Sequence, residues 1–345
     1  MKALIISAMV SFFTTFIITP NAMRFLYAAG IVGIDIHKKK KPKLPASGGT
    51  CVALGILSGL LTFVGIKTFV YGIQETSIYL LAAVSSILLV TFIGLVDDLN
   101  VKSRPVQTKD GKNIKIGFPS WLKPFLTLPA AIPLMVISAG ETTMAIPFIG
   151  DINFAFFYPL LLVPIGVVGA SNMVNMLGGF NGVEAGMGMI YTLSLGLFSL
   201  LYGKEISAII FLTTFAALIA FLKYNWYPAK ILPGDSLTYL LGSIVAVGVI
   251  VGNMEKIGII VMAPFLLQGV LKFYSLFKRR RFPSDLGNLQ KDGTIKSKYG
   301  KKVYSLTHMV MNFGRLTERQ ITIFLIFIQI IFAIIPFSEH LNLIL

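Results

Sequence analysis

Residues 78–100 read Ile78-Tyr-Leu-Leu-Ala-Ala-Val-Ser-Ser-Ile-Leu-Leu-Val-Thr-Phe-Ile-Gly-Leu-Val-Asp97-Asp98-Leu-Asn100. The nineteen residues Ile78–Val96 carry no charge. That is enough to cross a bilayer as a helix, since roughly 20 residues span ~30 Å of hydrocarbon. A carboxylate pair at the mouth of such a helix is costly and needs a partner or a use. Two adjacent negative charges also repel, so a cation is expected to hold them.

The rest of the chain has the same character. Of its 345 residues 55% are hydrophobic and only 13% charged, the composition of a polytopic membrane protein. Ten charge-poor apolar windows follow one another, at about 3–24, 51–71, 78–97, 122–140, 154–172, 185–203, 206–223, 236–253, 257–275 and 320–338. The expected fold is an all-α membrane protein of about ten transmembrane helices, one integral-membrane domain over residues 1–345. Pro129, Pro133, Pro159 and Pro164 predict kinks or breaks in the fourth and fifth windows. The first window is read as a retained helix: a single Lys2 precedes it and the strong basic charge follows it, opposite to a secretory signal. The lone Cys51 leaves no intramolecular disulfide.

The net charge of +15 would suggest nucleic acid were it not for where the cations lie. Twenty-six of the 30 Lys and Arg fall in, or at the edge of, the loops after the odd-numbered windows, about 25–50, 97–122, 172–185, 223–235 and 276–319. The positive-inside rule puts these loops in the cytoplasm and both termini outside, and nucleic acid is not a partner. For a prokaryotic chain the location is the cell membrane. Asp35, Asp97, Asp98, Asp110, Glu184, Asp235, Asp285, Asp292 and Glu318 share that side. Topology does not demand this of acids, so a polar site at the cytoplasmic face is expected.

Four segments of that face stand out: Gly94–Asn100; Asn172–Gly186, rich in Asn and Gly; Asn225–Ser236, ending Pro233-Gly234-Asp235-Ser236; and the loop opening with Arg279-Arg280-Arg281. Asn172 and Asn175, three apart, share a helix face, and amide oxygens suit magnesium or hydrogen bonding. Asp235 opens a span after Pro-Gly, where an aspartate serves equally as helix cap or as metal ligand. The triple arginine is a lipid-headgroup patch or a pyrophosphate fork. Asp97, Asp98, Asp235 and Asn175 together offer hard oxygen ligands for Mg2+, or Mn2+, and substrate phosphates. An ion-coupled transporter would carry its acids near the bilayer midplane; here they lie at span ends.

These segments, in this order over nearly the whole chain, resemble the polyprenyl-phosphate N-acetylhexosamine-1-phosphate transferases. The Asn172–Gly186 and Asn225–Asp235 runs look most like the eukaryotic and archaeal enzymes that use UDP-GlcNAc and dolichyl phosphate. The resemblance implies ten helices with a cytoplasmic site, magnesium, and transfer of GlcNAc-1-phosphate to a polyprenyl phosphate with release of UMP, the first membrane step of N-glycan-type assembly; another UDP-N-acetylhexosamine is the alternative donor. It further implies Asp97 and Asp98 as the catalytic pair, Asp235 and Asn175 as metal ligands, Gly179, Asn181 and Leu232 at the nucleotide with Asn172 packed beside them, and Arg279, Arg281 and Lys123 at the phosphates and sugar. A homodimer is compatible with it. Gly178 and Asn181 replace aspartates of the bacterial branches, the last loop holds one histidine, His308, and Ala46 replaces an acid of the eukaryotic relatives.

Overall fold

In a low-dielectric setting an apolar segment must satisfy its own backbone hydrogen bonds, and this chain does so with helices. The computed structural model describes residues 1–72, 75–99, 106–107, 113–114, 118–146 and 150–338. Asn100, Lys102, Arg104, Lys109, Asp110, Lys112 and Lys115 of the expected cytoplasmic loop lie outside the described residues. The helices in chain order are α1 (Lys2–Ala28), α2 (Gly49–Tyr71), α3 (Glu75–Leu99), α4 (Lys123–Thr127), α5 (Ile132–Val136), α6 (Val163–Val174), α7 (Val183–Leu201), α8 (Glu205–Asn225), α9 (Gly234–Gly252), α10 (Glu255–Val261), α11 (Ala263–Arg279), α12 (Leu306–Met311) and α13 (Glu318–Ile334).

Seven of these are long and apolar enough to cross a membrane, eight if the bent pair α10–α11 is one span. That pair turns by 68° where Pro264 opens α11. The fourth and fifth windows fall on shorter apolar helices, Lys123–Val136 and Tyr158–Val174. Both are interrupted: Pro129 lies in a 3-10 turn between α4 and α5 and Pro133 at the start of α5, while Pro159 lies in a π turn ahead of α6 and Pro164 at the start of α6. The loops depart from the all-helical expectation by forming small antiparallel ribbons. They are β1 (Val32–Ile34) with β2 (Lys43–Pro45), β3 (Val106–Gln107) with β4 (Asn113–Ile114), β5 (Thr143–Ile146) with β6 (Gly150–Asn153), and a three-stranded β7 (Asn288–Leu289), β8 (Thr294–Lys296), β9 (Leu316–Thr317).

Small residues set how closely the helices approach. Ser7, Ser11, Thr15 and Thr19 form a buried stripe at helical spacing on α1, and Gly55 and Gly59 of α2 face it. Ile5, Met9, Phe13 and Ile17 on the remaining surface of α1 are exposed, as lipid-facing residues would be. α9 is the axis of the bundle, buried along residues 236–250. Gly94 of α3 lies against the backbone of Asp235 and Ser236, and Gly242 of α9 against Ala170 and Ser171 of α6. The C-terminal end of α3 is thereby seated on the N-terminus of α9.

The loops predicted to share a face meet at this end. Leu232 N–H donates to the Pro45 carbonyl at 2.8 Å, Asn181 bonds Asp35 at 3.1 Å, and Lys38 reaches Glu318 at 2.5 Å. These contacts join the loops after α1, α6, α8 and α11–α12.

Candidate active site

The two aspartates that open the site are held in different ways. Asp98 Oδ1 accepts from Asp235 N–H at 2.7 Å and Oδ2 from Ser236 N–H at 3.0 Å. It satisfies donors at the first turn of α9, where a negative charge suits the helix dipole. The residue at the N-cap position, Pro233, supplies no side-chain cap. Asp235 is thus relieved of the capping alternative, since a residue from another helix performs it. Gly234 makes this fit: its φ is +74°, and a Cβ there would lie 2.3 Å from Asp98 Oδ2.

Asp97 is buried, with Oδ1 accepting from Phe118 N–H and Oδ2 from Lys123 Nζ, each at 2.5 Å. Lys123 also reaches Asp235 Oδ2 at 2.9 Å, so one ammonium bridges α3 and α9. The cation expected beside the carboxylate pair is therefore Lys123 for Asp97 and the positive end of α9 for Asp98.

Beside Asp235 a cavity of about 450 Å³ opens, lined by Asn175, Gly179, Asn181, Leu232 and Asp235 of the expected residues. Asn175 Oδ1 accepts from Thr238 Oγ1 at 2.8 Å, which aligns the amide at the N-terminal turn of α9. Asn172 turns away into the helix packing: its Nδ2 donates to the Val168 carbonyl at 2.8 Å and to Thr127 Oγ1 at 3.3 Å, and Tyr239 OH donates to its Oδ1 at 3.4 Å. Gly179, at φ +96°, donates its N–H to Glu184 Oε1 at 2.7 Å, and Leu286 packs where its side chain would stand. Arg279 and Arg281 do not line the cavity. Arg279 covers the rings of Tyr299 and Tyr304 at 4.4 and 5.2 Å, and Arg281 is exposed beyond the end of α11.

Several residues of the cavity wall carry no motif signal. Lys272 and Gln268, one turn apart in the apolar α11, clasp Asp285 at 2.7 and 3.1 Å. Lys272 also takes the Pro283 carbonyl at 2.8 Å, and this pins residues 283–286 over the cavity. Burial pushes the Asp285 carboxyl up and Lys272 opposes it. Two polar residues at i, i+4 in an otherwise apolar helix are the signal that could have found them. Opposite lies Asp35, and next to it His37 stacks on Phe180 at 4.7 Å; burial pulls the His37 imidazole down to about 4.

Among the described residues four acids line the cavity: Asp35, Glu184 and Asp285 are engaged in holding its wall, while Asp235 lies near the Asn175 amide with the Lys123-bridged Asp97 beside it. No three acidic, histidine or cysteine side chains converge among the described residues. One carboxylate and one amide oxygen fit magnesium, which takes one or two carboxylates and completes its shell with water and substrate phosphate oxygens.

The sequence profile of glycosyl transferase family 4 matches residues 80–253, which run from α3 through α9 and include Asp97, Asp98, Lys123, Asn175 and Asp235. A Saccharolobus solfataricus protein, provisionally named a UDP-N-acetylglucosamine–dolichyl-phosphate N-acetylglucosaminephosphotransferase, is 34% identical over 340 residues, covering 96% of this chain and 95% of the relative. The Dictyostelium discoideum protein of the same name is 26% identical over 381 residues, covering 95% and 86%. A Bacillus subtilis protein, provisionally named an undecaprenyl-phosphate N-acetylglucosaminyl 1-phosphate transferase, is 25% identical over 281 residues, covering 80% and 71%. The profile spans the residues that build the site and the archaeal relative spans nearly everything around it: the chain belongs to glycosyl transferase family 4.

Proposed function

We propose that this chain transfers N-acetylglucosamine-1-phosphate from UDP-N-acetylglucosamine to a polyprenyl phosphate of the dolichyl type, giving polyprenyl-diphosphate-N-acetylglucosamine and UMP. The observation that carries this reading is the bridging of Asp97 and Asp235 by Lys123, with Asp235 lining a nucleotide-sized cavity, in a chain similar along its length to relatives named for that reaction. In this reading the chain is a single integral-membrane domain and its ten apolar segments, broken ones included, cross the bilayer. Both termini lie outside and the site opens to the cytoplasm, the side that the distribution of Lys and Arg favours.

In the reaction an oxygen of the lipid phosphate attacks the phosphorus that bears the sugar. A new P–O–P bond forms, the bond to the bridging oxygen breaks, and UMP leaves with that oxygen and its electron pair. A phosphate monoester carries about −1.5 to −2 charges at neutral pH, so the nucleophile needs little activation. The obstacle is repulsion between anions, and cationic or dipolar stabilisation is the main catalytic requirement. Asp235 and Asn175 would hold magnesium, which when bound supplies charge neutralisation at the transferring oxygens. Lys123 balances Asp97 and aims Asp235, while Asp98 fixes the N-terminus of α9 that carries Asp235. Asn181 and Leu232 face the nucleotide, and the exposed Arg279, at the end of α11, and Arg281, just beyond it, meet the outer phosphates or lipid headgroups.

The test is direct. Membranes containing the chain, supplied with labelled UDP-N-acetylglucosamine, polyprenyl phosphate and magnesium, form a labelled diphosphate lipid and release UMP. Absence of a lipid-linked product from a panel of UDP-sugars overturns the reading.

A further inference from the structure

Asn181, in the cavity wall, is held through its backbone and its side chain alike. Its N–H donates to Glu318 Oε1 at 2.9 Å, its carbonyl accepts from Thr322 Oγ1 at 3.1 Å, and its Nδ2 donates to Asp35 Oδ2 at 3.1 Å. Lys38 ties the two acids together, 3.1 Å from Asp35 Oδ2 and 2.5 Å from Glu318 Oε2. Asp35, Glu318 and Asn181 are all buried, so this arrangement is shielded from competing water.

The polarity of the arrangement matters. A carboxylate offers only acceptors and an ammonium only donors. The Asn181 amide must therefore turn its NH2 group to Asp35, which leaves Oδ1 as the other end. Among the described residues Oδ1 has no hydrogen-bond partner, and it is not among the buried atoms lacking one. Asn181 lines the cavity, so this oxygen is presented to whatever occupies it.

We propose that Asp35, braced by Lys38 and Glu318, is a positioning residue that locks the Asn181 amide with its acceptor toward the cavity and so makes the site select uracil over cytosine. The inference rests on the reading of the cavity as a uridine-nucleotide site. Uracil carries a donor at N3, which an amide oxygen accepts; cytosine carries a lone pair at the same position, which an amide oxygen repels. An amide free to rotate would accommodate either base. Discrimination by a locked polar group is strong because the wrong ligand leaves buried partners unpaired.

The probes are UMP and CMP, titrated calorimetrically into the purified full-length protein in detergent, so the readout is a ratio of affinities from folded protein. The unaltered protein binds UMP at least about tenfold more tightly than CMP. Asp35→Asn, whose own amide can donate or accept, lets Asn181 rotate and brings the ratio to within about threefold. Asp35→Ser has the same ambivalence and gives the same result if Asp35→Asn does not fold. Thr322→Val removes a bond to the Asn181 backbone without touching the polarity of the amide; it keeps the ratio even if both affinities fall. An undiminished ratio in the folded Asp35 variants overturns the proposal. So does an equal loss in Thr322→Val, because the effect would then be general loosening, and so does lack of a uridine preference in the unaltered protein. Failure of the transfer assay with the UMP preference and its dependence on Asp35 intact counts against the transferase reading alone; transfer with a ratio indifferent to Asp35 counts against this inference alone.

Discussion

Replacing Asp98 by Asn tests whether the second aspartate of the pair works by holding α9 in place. The wild-type carboxylate accepts two backbone donors, Asp235 N–H at 2.7 Å and Ser236 N–H at 3.0 Å. Asn keeps one acceptor, and its NH2 group then faces an N–H across the same gap. The loss is one charge-assisted bond, about 1.5–3 kcal/mol, plus up to about 1 kcal/mol for removing a negative charge from the helix N-terminus. Roughly 2–4 kcal/mol should appear as lower stability of this corner or as misplacement of Asp235. If it is all expressed at the transition state, turnover falls about 30-fold to 1000-fold. The assay pairs thermal unfolding in detergent with initial rates at saturating UDP-N-acetylglucosamine across a magnesium titration. The expected outcome is a lower melting temperature together with weaker magnesium dependence and a loss in that range. Wild-type melting and rates would refute the reasoning. Lost activity with unchanged melting and an unchanged magnesium midpoint would instead assign Asp98 a direct part in the chemistry.

Gly234→Ala sets a Cβ 2.3 Å from the same carboxylate in a backbone with φ +74°, so it should lower stability by at least about 2 kcal/mol and cut activity with it; a near-wild-type melting curve would contradict the close contact. Lys123→Met leaves Asp97, 4% exposed, without its cation and releases Asp235. The expected cost is about 3–5 kcal/mol, seen as poor yield of folded protein and strongly reduced transfer, with partial recovery in Lys123→Arg. His37 and His308, both outside the membrane spans, are lowered by burial to about 4 from an ordinary 6.5. The unfolded chain therefore binds more protons below pH 6.5, and the stability these residues contribute, complete above that pH, is lost as pH falls toward 4. Melting temperature should drop across that window, and His37→Gln should flatten the slope.

Much of the architecture was legible because it follows from one-dimensional physics. The ten apolar windows coincide with helical segments, since an uncharged run has few other ways to satisfy its backbone. The prolines at 129, 133, 159 and 164 fall at the breaks in the fourth and fifth, since proline lacks a donor and clashes with the preceding turn. The short ribbons are not legible because strands of two to four residues leave too little periodicity to read. Within the site, Asp97, Asp98, Asn175, Gly179, Asn181, Leu232 and Asp235 could be picked out from motifs. Asp35, Lys38, Gln268, Lys272 and Asp285 could not, since each matters only through a partner far away in the chain.

The sequence by itself determined a bundle of apolar helices, the gathering of charge on alternate loops, and a set of carboxylate and amide side chains among them, because hydropathy and charge are properties of single residues. Only the tertiary structure decided how those side chains divide their work. It gave the capping of α9 to Asp98 and left Asp235 to face the cavity; it supplied Lys123 as the cation between α3 and α9; and it set Arg279 on an aromatic pair outside the cavity wall. The physical reason is that hydrogen bonding and burial are pairwise and geometric. Asp97 and Asp98 are adjacent and chemically identical, and they differ only in the helix end or the ammonium that the fold carries to each.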